Sequence, residues 1–132
     1  MREFSAINGE SVASSTLREL RELADSSGDP GQFGELIDLF LAEMESGLAS
    51  MRKALADGNA EQLAKLAHSL KGASASMGAS GLGSLCRTLE ETAKNAKPQE
   101  TERQLVRIES EVCIVRDALN KAKSSQQLVP DS

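Results

Sequence analysis

Along the chain, apolar residues recur every three or four positions in five separate stretches, the spacing that places them on one face of an α-helix. The first stretch is short: Leu17, Leu20 and Leu23 follow a Thr16-x-x-Glu19 capping box and stop at Ser26-Ser27-Gly28. The second opens on Asp29-Pro30-x-Gln32, an N-cap with proline at the first helical position. It carries Phe33, Leu36, Ile37, Phe40, Met44, Leu48, Met51 and Leu55 before Gly58 stops it. Asn59-x-x-Gln62 caps a third helix whose seam is Leu63, Leu66, Leu70, Ala73 and Met77. Beyond the turn Gly78-Ala79-Ser80-Gly81, a fourth carries Leu82, Leu85, Leu89 and Ala93. A fifth begins near Pro98 with Leu105, Ile108, Val112, Val115, Leu119 and Ala122.

Long amphipathic helices joined by short connections pack as antiparallel neighbours. The pattern predicts an all-α fold, an antiparallel up-down-up-down four-helix bundle over residues 15–123 with a short N-terminal helix laid against it. The same spacing suits an extended coiled coil, but helix stops as close together as Gly58 and Gly78 favour the intramolecular bundle. Residues 1–14 and 124–132 have no periodicity and are expected to be a flexible leader and tail. The featureless leader leaves two expectations, a domain excised from a longer protein, which it favours, and a stand-alone protein.

Composition narrows the function. A chain of 132 residues supplies one core, and with no Trp, no Tyr and three Phe it lacks the residues that favour strands. Fifteen basic against twenty acidic residues give a net charge of −5, with the two signs interleaved. That excludes a dedicated nucleic-acid or anionic-membrane surface. No apolar run exceeds four residues, against the ~20 of a membrane span. A cytoplasmic, monomeric domain is expected. Cys86 and Cys113 lack metal-ligand spacing and read as small, reduced, buried side chains. One histidine and two distant cysteines cannot make a zinc site, so no metal is expected. The Gly- and Ser-rich run from Gly72 to Gly81 lacks the Gly-Lys-Ser/Thr ending of a phosphate loop, so no ATP site is expected either.

The single histidine, His68, carries the remaining chemistry. At about 100° per residue, Leu66, Leu70, Ala73 and Met77 lie roughly 140–200° from it, which places the ring opposite the apolar seam. Its face-mates, Glu61, Ala64, Lys65, Lys71, Gly72 and Ala75, are small or polar. An idle surface histidine would fit that much. Two neighbours argue for more. Lys71, one turn on, puts a compact cation beside the ring, a poor neighbour for an imidazolium and a good one for a phosphoryl dianion. Gly72 costs ~1 kcal/mol against alanine in a helix interior and removes a side chain next to the ring. If the turn is centred on Ala79, the residue level with His68 on the antiparallel fourth helix is Glu90. A carboxylate there would accept from Nδ1–H and leave the Nε2 lone pair free to attack phosphorus. Otherwise Glu90 is one solvated acid of the Glu90-Glu91 pair.

The stretch Ala67-His68-Ser69-Leu70-Lys71-Gly72-Ala73-Ser74-Ala75-Ser76-Met77-Gly78 resembles the signature of histidine-containing phosphotransfer (HPt) domains, His-x-Leu-Lys-Gly followed by small or apolar residues and a glycine. The likeness runs on through Leu82, Leu85, Cys86 and Leu89-Glu90 and back to Phe40 and Asp57-Gly58, about residues 16 to 122. The resemblance implies a phosphorelay intermediate, with bacterial hybrid sensor kinases as a source. His68 would be the phospho-acceptor, and Lys71 would steady the phosphoryl oxygens. Gly72, with Ala64, Lys65 and Ala75, would be where a response-regulator receiver domain docks, and that receiver would bring Mg²⁺. Glu90 is similar to the glutamate of chemotaxis-kinase HPt domains, where several yeast and plant members have glutamine. The competing expectation is a bundle that docks a partner and is never phosphorylated.

Overall fold

The computed structural model of the protein describes residues 12–29, 31–95 and 97–128. Five helices follow one another: α1 (Ser14–Ser26), α2 (Gly31–Ala56), α3 (Ala60–Ser76), α4 (Ser80–Lys94) and α5 (Pro98–Leu128). The four long ones form a closed ring of neighbours, α2 on α3, α3 on α4, α4 on α5 and α5 on α2, while α1 packs against α2. This is the expected bundle. The stops act as read: Gly28, Gly58 and Gly78 all adopt positive φ, which glycine reaches without a Cβ penalty. Asn59 caps α3 by accepting from the Gln62 N–H at 3.1 Å, and the Asp29 carboxylate accepts from the Gly31 N–H at 3.1 Å.

The core is the seam the periodicity drew. Phe33, Ile37, Phe40, Met44 and Met51 of α2 meet Leu105, Ile108, Val112, Val115 and Leu119 of α5, all buried. Beside it runs a ladder of charges that the periodicity did not reveal. Asp38 pairs with Lys123 at 2.6 Å, Glu45 with Arg116 at 3.2 Å, and Arg52 with Glu109 at 2.8 Å and Glu102 at 2.8 Å. Partners step by seven residues on both helices. A one-heptad slip would set Glu45 against Glu109, or Arg52 against Arg116, so the ladder opposes other registers although each exposed pair contributes little by itself.

Four local expectations are corrected. The Thr16 box does not cap α1, because the helix already starts at Ser14 with Ala13 at its N-cap. The Ala13 N–H instead donates to the Gly78 carbonyl at 3.0 Å. Thr16 packs onto Gly78, where an added Cβ would lie 2.7 Å from it. Val12, assigned to the leader, is a core residue at 5% exposure, and α5 runs on to Leu128, past the expected end at 123. Cys86 is buried, and burial pushes its thiol pKa up to about 12, but Cys113 is exposed because it sits one residue off the seam next to Val112. The rest of the leader and the last four residues lie outside the described residues.

Candidate functional site

The site begins with how closely α3 and α4 approach. The α3 residues turned inward are Leu63, Ala64, Ala67, Leu70, Ser74 and, just past its end, Met77, whereas Leu66 and Ala73 of the expected seam are only half-buried. Small side chains therefore floor the α3–α4 contact. Gly83 of α4 lies over Ser74 and the Lys71 carbonyl, where even a Cβ would stand 3.8 Å from each, and Ser74 turns its hydroxyl back to the Leu70 carbonyl at 2.7 Å. The α3–α4 contact is the most extensive between any two helices. The buried arc of α3 is consequently rotated toward α4, and His68 flanks that arc instead of standing opposite it.

That rotation creates the site. His68 is well exposed, yet Nδ1 lies 3.2 Å from Glu90 Oε2 and 3.4 Å from Oε1, so a residue on the neighbouring helix reaches the ring. Glu90 is the more enclosed partner, with 14% of its side chain exposed against 65% for His68. Lys71 brings Nζ to 3.4 Å from Glu90 Oε1, and Lys94, one turn beyond Glu90 on α4, brings Nζ to 3.3 Å from Oε2. Burial works to raise the carboxyl pKa of Glu90, but the hydrogen bonds from Lys94, His68 and Lys71 outweigh it and hold the group below the ordinary carboxylate range. An ionised Glu90 can only accept, so a hydrogen bond at this contact requires the proton on Nδ1, which would leave the Nε2 lone pair on the side of the ring away from the carboxylate.

The remaining expected residues are distributed unevenly. A Cβ on Gly72 would meet nothing within 4 Å, so no packing demand explains a glycine there. Lys65 and Ala75 are exposed on the same side of α3, with Lys65 paired loosely to Glu61 at 3.9 Å. Ala64 departs from its assignment as an open face-mate of His68. It is 5% exposed because α4 covers it, and it contributes only to the floor of the groove that Glu61, Lys65, His68, Glu90 and Lys94 line. Lys94 was missed, although Glu90-x-x-x-Lys94 is the i,i+4 spacing of a helical ion pair.

An exposed histidine with a lysine one turn on is what the resemblance implies, here with a carboxylate at Nδ1, and the Hpt domain family model matches residues 35–124, more than half of the chain. The chain belongs to the HPt domain family. Its structure is similar to histidine-containing phosphotransfer protein B (HptB) from Pseudomonas aeruginosa PAO1, with 32% sequence identity and a TM-score of 0.77 over 89% of this chain and 95% of that one. A rice histidine-containing phosphotransfer protein shares the fold at a TM-score of 0.80 and 19% identity, covering 94% of this chain and 88% of its own. One from maize does so at 0.77 and 19%, covering 91% and 94%. A comparison with curated protein sequences gives no match. Histidine phosphotransfer within a phosphorelay, as an intermediate, is therefore this HPt domain's function. Among the described residues no helix is long and apolar enough to cross a membrane.

Proposed function

We propose that His68 is the residue that carries the phosphoryl group, taking it from the aspartyl phosphate of one response-regulator receiver domain and passing it to the aspartate of another. The observation that supports this most is the Nδ1–Glu90 contact on a ring that is otherwise open to solvent. The Nε2 lone pair attacks phosphorus, the P–O bond to the receiver aspartate breaks, and the carboxylate leaves with the bonding electrons. No proton has to move, because the ring keeps its Nδ1 proton and becomes formally cationic as the P–N bond forms. Glu90, accepting from that proton, offsets the developing charge. Lys71 meets the equatorial phosphoryl oxygens together with the Mg²⁺ and lysine that the receiver supplies.

In this reading the open side of α3 around Gly72, Lys65 and Ala75 admits the receiver, and most of the catalysis comes from the receiver's side. The domain works as a monomer in the cytoplasm. The test is a reconstituted relay: a receiver labelled with radioactive phosphoryl is mixed with the HPt domain, and a second receiver is then added. The reading expects acid-labile, alkali-stable label on the HPt domain that moves on to the second receiver and is lost in His68→Gln. A stable complex with the receiver and no transfer of label would mean a docking bundle instead.

A further inference from the structure

Glu90 holds more cationic partners than orienting one imidazole requires. Lys71 sits on Oε1 and Lys94 on Oε2, so the ammonium that should meet the phosphoryl group is, in the resting domain, an ion-pair partner of the carboxylate beneath the ring. Lys71 cannot serve both at full strength. Swinging toward a phosphoryl group on Nε2 takes it off a carboxylate that is only 14% exposed, and water can replace little of what such a group loses. It also leaves that carboxylate close to an incoming dianion of the same sign.

We infer that Lys94 is a positioning residue for phosphotransfer: it is the standing counter-ion of Glu90 that lets Lys71 hand itself over from the carboxylate to the phosphoryl group. Three features carry this. Lys94 occupies the carboxylate oxygen that Lys71 does not. It reaches that oxygen from Glu90's own helix, so the pair persists whatever α3 does. It is 63% exposed, and among the described residues its ion-pair partner is Glu90. With Lys94 in place, departure of Lys71 leaves Glu90 paired to a cation and to the ring proton. Without it, the carboxylate pulls Lys71 back and repels the phosphoryl group. Lys94 touches neither the reacting nitrogen nor phosphorus, so it acts through Glu90 and Lys71.

This inference rests on the relay reading, and its test separates the two. Rapid-quench transfer from a phosphorylated receiver is measured for the parent, Lys94→Met, Lys94→Arg, Glu90→Gln and the double variant Glu90→Gln/Lys94→Met. Lys94→Met should lower the transfer rate at saturating receiver about three- to fivefold, the upper range of one partly screened ion pair, with receiver affinity unchanged. Lys94→Arg should restore the rate to within about twofold. In the Glu90→Gln background the same Lys94→Met change should have no effect, an outcome that a merely structural role would not give. NMR of the lysine side chains before and after phosphorylation by phosphoramidate reads the hand-over directly, with the Lys71 ε-signals moving and the Lys94 signals staying. Parent-like transfer by Lys94→Met, or Lys71 signals that do not move, overturns the hand-over while leaving the relay intact. A parent protein that takes phosphoryl from neither donor overturns the relay and the hand-over with it.

Discussion

The proposed docking role of Gly72 sets folding and function against each other, and the sizes can be worked from the structure. It lies inside α3, has no positive φ, and a Cβ built on it would meet nothing within 4 Å. Replacing it with alanine should therefore stabilise the helix by about 1 kcal/mol, and with glutamine by about 0.5 kcal/mol, the helix-propensity differences undiminished by any clash. For a domain of this size these gains correspond to melting-temperature rises of roughly 4 °C and 2 °C. Function should run the other way. In the proposed docking mode, a side chain growing from Gly72 enters the space one turn from His68 that the receiver fills, and overpacking there should cost about 1–3 kcal/mol, or roughly five- to 150-fold in transfer efficiency. Alanine, with one carbon, should cost far less than glutamine. Thermal melts and receiver-to-HPt transfer on the glycine, alanine and glutamine proteins decide it: stability should order Ala > Gln > Gly while transfer orders Gly ≥ Ala > Gln. A glutamine variant that is stabilised and still transfers at the parent rate would remove the docking role of Gly72.

Two other predictions follow from the charges. Arg52→Glu places three carboxylates together on the α2–α5 seam and should destabilise the domain by about 1–2 kcal/mol in urea melts; adding Glu109→Arg should recover part of the loss, and strict additivity of the two changes would contradict the ladder. Glu90 makes stability depend on pH. Its folded pKa lies below its unfolded value near 4.3, so its contribution is present above the unfolded pKa and is lost as pH falls through the folded one. The stability advantage of the parent over Glu90→Gln should accordingly be largest near neutral pH and vanish in strong acid. A constant difference across that range would mean that the carboxylate is not held by its cationic neighbours.

Much of this architecture can be read before any coordinates. Glycine stops, the Asn59 cap and heptad-spaced Leu, Ile and Val in α5 are local signals, and each one acts where the sequence places it. The position of Glu90 also follows, because an antiparallel turn centred on Ala79 fixes which residues are level. The phase of α3 does not follow. Hydropathy weights Leu66 above Ala64, Ala67 and Ser74, but these small residues are inward because they are small: they let α4 come close, and a helix with neighbours on two sides buries a wider arc than its leucines mark. His68 consequently stands at the edge of the core, within reach of α4, a position that opposition to the core would have denied it. Thr16 illustrates another limit. Its capping box is a real local preference overridden by a tertiary contact, the fit of its side chain against Gly78. The charge ladder is invisible for the opposite reason, since seven-residue steps on α2 and α5 gain meaning only once the two helices are known to be neighbours in one register.

The central claim is that His68 accepts the phosphoryl group on Nε2 while Glu90 holds the proton on Nδ1. The most direct measurement is nitrogen-15 NMR of the imidazole, before and after phosphorylation, in the parent and in Glu90→Ala. The account predicts a neutral ring held as the Nδ1–H tautomer in the parent and moved toward a tautomer mixture in Glu90→Ala. On phosphorylation, phosphorus coupling should appear at Nε2 alone. Coupling at Nδ1, phosphate on another residue, or the same tautomer mixture in both proteins would contradict it.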